Sequence, residues 1–185
     1  MDARILTLPN LITCIRILLI PVFISAILAD RYRDGLVVFV VAALSDLVDG
    51  KLARAQNSQT TFGAFLDPFA DKCLMISSFI LFATKGWLPM WLALVSISRD
   101  LLVVLGYVLL AVMRGMVRVS PSLAGKTAIA AEMILISYVL LWLNFAMLPE
   151  PALWMFVCVA ALAASSGVQY IYRGVMTLYA KPCGQ

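Results

Sequence analysis

Four aspartates, Asp46, Asp49, Asp67 and Asp71, stand close together in a chain that is 63% hydrophobic. Their setting is Asp46-x-x-Asp49-Gly50-x-x-Ala53-Arg54, then eight residues, then Gly63-x-x-x-Asp67-x-x-x-Asp71. Residues three and four apart share a helix face. Asp46, Asp49, Gly50 and Ala53 therefore line one helix, and Gly63, Asp67 and Asp71 line the next. The polar turn Ala55-Gln56-Asn57-Ser58-Gln59-Thr60 predicts an antiparallel hairpin in which Asp49 meets Asp67. Four converging carboxylates repel one another unless cations neutralise them. Two divalent ions about 3.5–4 Å apart, bridged by shared carboxylates, would resolve the repulsion and suit phosphoryl transfer. Gly50, Ala53 and Gly63 leave room for a flat or phosphate-bearing ligand, and Arg54 can balance a diphosphate. Pro68 lacks an N–H and is expected to kink its helix, freeing the carbonyl of Ala64. Small residues at four-residue spacing also pack membrane helices together, and single aspartates at helix ends are commonly interfacial. Four of them facing one another across a short turn are not accounted for in that way.

The elements that must position these groups are membrane helices. Only 13% of the 185 residues are charged, against about 25% in soluble domains, and mean hydropathy is +1.00. An acidic cluster in such a chain is a functional site by default. A span needs about 20 mostly apolar residues. On that criterion breakers and polar clusters divide the chain into six segments: Leu11 to Ala29, Leu36 to Ala55, Thr61 to Ala83, Trp87 to Arg114, one that follows Ser120-Pro121 and ends near Asn144, and Pro151 to Tyr172. The opening MDARILTLPN reads as a short interfacial helix closed by Pro9. No small-residue cleavage site follows the first apolar run, which is expected to stay as a span. The expected fold class is thus an all-α integral membrane protein, six transmembrane helices in one domain over residues 1–185.

Lysine and arginine placement sets the expected orientation. Arg4, Lys51, Arg54, Arg114, Arg118, Lys126, Arg173 and Lys181 fall on one side; Arg31, Arg33 and Lys85 fall on the other. Both termini and the aspartates then face the cytoplasm. The net charge of +4 is small and scattered, which argues against a nucleic-acid partner. The chain has no histidine, so a metal must be held by oxygen, which favours Mg²⁺ or Mn²⁺. Cys14, Cys73, Cys158 and Cys183 have no metal-like or disulfide-like spacing and read as small buried hydrophobes.

The full spacing D-x-x-D-G-x-x-A-R-x8-G-x-x-x-D-x-x-x-D resembles, residue for residue, the motif of the CDP-alcohol phosphotransferase (CDP-alcohol phosphatidyltransferase) family. Leu8-Pro9-Asn10-Leu11-Ile12-Thr13 and Arg16 look like that family's opening. The resemblance implies that Asp46, Asp49, Asp67 and Asp71 ligate two metal ions, Mg²⁺ or Mn²⁺, and that Asp71 is also the general base. It implies a CDP site formed by Asp46, Asp49, Gly50, Ala53, Arg54, Gly63 and Asp67. The reaction implied is attack of an acceptor hydroxyl on the β-phosphorus of CDP-diacylglycerol, with CMP leaving. A homodimer in a bacterial inner membrane is the setting it implies.

The acceptor is read from the second half of the chain. Arg99, Arg118 and Lys126 are the candidate acceptor-binding bases, with Arg99-Asp100 readable also as a buried structural pair and Glu132 as a possible counter-charge. Phosphatidylglycerophosphate synthases of the family typically carry Ala-Arg-Glu, a second arginine eight residues on, and Gly-Lys-x-Lys-Thr. Here the matching positions are Ser98-Arg99-Asp100, Tyr107 and Gly125-Lys126-Thr127-Ala128-Ile129, two bases short. Cardiolipin synthases of the same fold more often carry Ser-Arg-Asp and a single lysine approached through Pro-Ser, as in Pro121-Ser122. The sequence therefore favours phosphatidylglycerol as acceptor, with glycerol 3-phosphate the alternative. A divalent-cation transporter is the non-enzyme alternative, since buried aspartates line ion paths too, but it would not need Gly50, Ala53, Arg54 and Gly63 at fixed offsets. Membrane prenyltransferases use two separated aspartate motifs on a longer bundle.

Overall fold

The computed structural model describes the backbone of residues 8–56, 61–114 and 123–179, and the side chains of 14–45, 72–106 and 123–176. Those residues form six helices and no strand: α1 (Leu8–Leu28), α2 (Tyr32–Gln56), α3 (Thr61–Thr84), α4 (Met90–Arg114), α5 (Leu123–Asn144) and α6 (Leu153–Tyr179). Six helices stand where six apolar segments are expected, with shifts at their starts. α1 begins at Leu8, taking Pro9 into a first turn where a missing N–H costs nothing. Leu8–Asn10 thus belong to α1 and not to a separate surface helix; residues 1–7 lie outside the described part. α2 starts four residues early because the Gly35 N–H closes a turn on the Arg31 carbonyl at 3.1 Å. α6 starts late: the Met155 N–H bonds to the Ala152 carbonyl at 2.9 Å, leaving Pro151 just ahead of the helix. α3 runs through Pro68 as one helix.

Two helical stretches among the described residues, Leu123–Asn144 and Leu153–Met176, are long and apolar enough to cross a bilayer. Cys14–Leu28 and Lys72–Thr84 are shorter apolar runs. Large aliphatic side chains such as Leu18, Val37, Leu105 and Val168 point outward, a surface that suits lipid better than water. Cys14 and Cys158 are exposed and Cys73 half-buried, so the described cysteines are not core residues as expected; an apolar solvent removes the reason to bury a thiol.

The chain forms two compact units. The first takes Met1–Lys85 and Val139–Pro149, the second Gly86–Tyr138 and Glu150–Gln185. In the first, α1 packs against both α2 and α3. Its centre is aromatic: the ring of Phe23 lies 6.0 Å from Phe39 on α2 and 6.4 Å from Phe82 on α3, all three tilted and buried. Tilted aromatic pairs add about 0.5–1.5 kcal/mol each beyond their buried area. Gly35 allows the close approach of α2, since a Cβ there would lie 2.5 Å from Ile27 Cδ1.

The α1–α2 corner is made by Asp30, whose φ of 57° is left-handed. The Arg31 N–H reaches back to the Ala26 carbonyl at 2.9 Å and the Asp30 N–H to Ile27 at 3.1 Å, which caps α1. Aspartate tolerates that conformation better than most residues. Here it also turns its carboxylate to Lys85 Nζ at 2.8 Å and Tyr32 Oη at 2.9 Å, both of which donate to Oδ1. The hydrogen bond from Lys85, then that from Tyr32, hold the Asp30 carboxyl below the usual carboxylate range, and Asp30 in turn raises Lys85 and Tyr32. Asn144, the last residue of α5, donates to the Tyr32 carbonyl at 3.0 Å.

In the second unit α4 packs on α6. Gly106 lets Tyr170 lie against the α4 backbone: a Cβ at Gly106 would sit 2.7 Å from Tyr170 Cε1.

Candidate active site

The aspartates occupy the last turns of α2 and the first turns of α3. At 1.5 Å per residue and about 3.6 residues per turn, Asp46, Asp49, Gly50 and Ala53 take neighbouring register positions on one face of α2. Gly63, Asp67 and Asp71 do the same on α3, with Arg54 near the end of α2. Their side chains, and the Asp49–Asp67 pairing expected from the hairpin, lie outside the described residues, as does residue 118. The structure thus gives the expected helices and register, with α1 packed on both helices concerned.

α1 also carries a charge inside its apolar run, Arg16. Arg16 is 1% exposed and is the bulkiest of the fully buried side chains among the described residues. An arginine buried on the helix that touches both aspartate-bearing helices is a functional candidate on electrostatic grounds. Its place inside the apolar run Leu11 to Ala29 was the available signal.

The second unit holds a buried polar group around Arg99. Arg99 and Asp100, each 5% exposed, form an ion pair in which Nη1 donates to Oδ1 at 2.7 Å. Arg99 Nη2 donates to the Gly125 carbonyl on α5 at 3.2 Å and to Ser166 Oγ on α6 at 3.0 Å. Removing two charges from water is repaid only when geometry is good and the remaining donors are satisfied; the bonds to Asp100, α5 and α6 serve the two terminal nitrogens, while Arg99 Nε is buried without a hydrogen-bond partner. Gly167 lies against the stem, where a Cβ would stand 3.7 Å from Arg99 Cγ. Glu132 on α5 is also buried, at 1% exposure. Lys126, in the first turn of α5, is exposed. The sequence offered both readings of Arg99; what it did not give is the reach of this side chain to residues 26 and 67 positions away.

Comparison with known proteins adds the family. The model of the CDP-alcohol phosphatidyltransferase family matches residues 6–170, and the chain belongs to that family. It is 36% identical over 149 residues to the Bacillus subtilis protein named CDP-diacylglycerol–glycerol-3-phosphate 3-phosphatidyltransferase, covering 72% of this chain and 76% of that one. A Streptomyces coelicolor protein named cardiolipin synthase (CMP-forming) is 37% identical over 111 residues, 56% of this chain and 52% of the relative. A Mycobacterium tuberculosis protein carrying a provisional cardiolipin synthase name is 35% identical over 132 residues, 71% of this chain. The match spans 63% of the mycobacterial relative's length.

Proposed function

We propose that the protein transfers the phosphatidyl group of CDP-diacylglycerol to a glycerol-type alcohol, releasing CMP, as a step of phospholipid synthesis. The observation that carries this reading is the register of the aspartates on α2 and α3, inside the span matched by the family model. Relatives named for such transfers support it. The donor set also fits metals: four carboxylates in a chain without histidine suit hard divalent cations, Mg²⁺ or Mn²⁺. Asp46, Asp49, Asp67 and Asp71 would hold two such ions, which when bound neutralise the diphosphate and stabilise departing CMP. Asp71 accepts the proton of the acceptor hydroxyl as its oxygen bonds to the β-phosphorus and the bond from that phosphorus to the CMP oxygen breaks. Arg54 would balance the diphosphate charge. Gly50, Ala53 and Gly63 leave room for the nucleotide beside Asp46, Asp49 and Asp67.

Arg99, Arg118 and Lys126 are assigned to the acceptor side. Phosphatidylglycerol is the acceptor favoured by Ser98-Arg99-Asp100 and the lone Lys126; glycerol 3-phosphate is the second reading, supported by the Bacillus relative's name. We further propose one domain of six spans over residues 1–185, active as a homodimer. Both termini and the aspartates face the cytoplasm of a bacterial inner membrane.

The test is CMP release by purified protein with CDP-diacylglycerol and Mg²⁺ or Mn²⁺, offering phosphatidylglycerol or glycerol 3-phosphate, with Asp71→Asn alongside. Turnover with phosphatidylglycerol alone is expected, abolished by chelation and restored by either metal. Turnover with glycerol 3-phosphate alone would replace the acceptor. Metal flux without CMP in reconstituted vesicles would replace the enzyme by a transporter.

A further inference from the structure

We propose that Arg99 is a positioning residue, fixing the first turn of α5 and through it Lys126. The proposal rests on the assignment of Lys126 to the acceptor and gives Arg99 a different task from the direct contact that its charge suggests. Both terminal nitrogens of Arg99 are spent within the protein, on Asp100 at 2.7 Å and on Gly125 and Ser166 at 3.2 and 3.0 Å. At 5% exposure the guanidinium has little surface to offer a ligand. What it does reach is the carbonyl one residue before Lys126. The first turn of a helix leaves its N–H groups without intrahelical partners and is where fraying starts; the Arg99 donor does not fill those positions, but through the Gly125 carbonyl it ties the turn to α4. A planar fork, charge-held by Asp100 on its own helix and braced by Ser166 on α6, pins that turn from two sides. Lys126 follows Gly125 directly, so the point from which its flexible four-carbon stem reaches out is set by that turn.

Arg99→Lys is the variant of choice. It keeps a cation beside the buried Asp100, whereas a neutral replacement would remove the charge paired with that carboxylate, and it loses the fork that serves Gly125 and Ser166 together. Acceptor and CDP-diacylglycerol titrations would compare wild type, Arg99→Lys, Lys126→Gln and the double variant. Arg99→Lys is expected to raise the acceptor KM about tenfold. It should leave kcat and the KM for CDP-diacylglycerol within about twofold. In the Lys126→Gln background it should add nothing further, because both changes remove one positioned ammonium. Independent, multiplying effects of the two substitutions would overturn the proposal in favour of direct contact. A fall in kcat with both KM values raised alike would overturn it in favour of a purely architectural pair. Should Arg99→Lys not fold, Ser166→Ala leaves the ion pair intact and loosens one brace. The same acceptor-specific rise, about twofold to threefold, is then expected only while Lys126 is present, and its persistence in Lys126→Gln would be decisive against the idea. Should wild type release no CMP with any acceptor, the proposed function fails, and hydrogen exchange still judges the positioning. Faster exchange over residues 124–129 in the variant supports it, and unchanged exchange there overturns it.

Discussion

A carboxylate that must receive a proton has no close substitute that keeps its shape. Asp71→Asn preserves size but has no basic oxygen, and CMP formation is expected to drop by about 10²–10⁴-fold, measured as initial rate at saturating CDP-diacylglycerol. The aspartates could be read from the sequence because charged residues in an apolar chain are rare, and because three- and four-residue spacing translates directly into a helix face. Arg99 was legible only as a question. Whether a buried base meets a ligand or a protein carbonyl depends on contacts with Gly125 and Ser166 that lie far along the chain. Arg16 was visible as a residue inside an apolar run, but its 1% exposure needed the packing of α1 on two helices.

Among the elements, the α4–α6 contact makes a paired prediction. Alanine at Gly106 forces its Cβ to within 2.7 Å of the Tyr170 ring, whereas alanine at Gly174, on α6, meets nothing within 4 Å. Gly106→Ala should lose about 1–2 kcal/mol, overpacking outweighing helix propensity. Gly174→Ala should gain about 0.5–1 kcal/mol; thermal midpoints in detergent measure both. The α1–α2 corner makes a second prediction, in pH. Because Asp30 has a lowered pKa in the fold, its stabilisation is present above the ordinary carboxylate range and is lost as pH falls through the folded value. Lys85 is raised, so its share persists below the ordinary lysine range and is lost as pH climbs through the folded value. Asp30→Asn keeps a residue that accepts the left-handed cap and removes only the charge. Its midpoint should therefore lie below wild type near neutrality and converge with it in acid, and a constant gap across pH would refute the ion-pair account. The helices themselves were legible from breakers such as Asp30-Arg31 and Lys85-Gly86, but not the starts of α1, α2 and α6: α1 takes Pro9 into its first turn, and Gly35 and Ala152 settle the other two through backbone bonds.

For the whole molecule, the basic residues predict an orientation that labelling can check. With Cys14, Cys73 and Cys158 replaced, Cys183 should react with an impermeant maleimide only after the membrane is opened. A cysteine introduced at Met147, 97% exposed in the α5–α6 connection, should react in intact cells, and the reverse pattern would invert the topology. Packing into two units was not legible, since the sequence has no linker and the first unit borrows the end of α5. That borrowing has a consequence for biogenesis. The Asn144 amide bonds to the Tyr32 carbonyl 112 residues upstream. At synthesis rates of roughly 5–20 residues per second, the Tyr32 carbonyl waits roughly 6–22 seconds for the Asn144 amide. The first unit is therefore complete only once the end of α5 has been made, well after α1, α2 and α3.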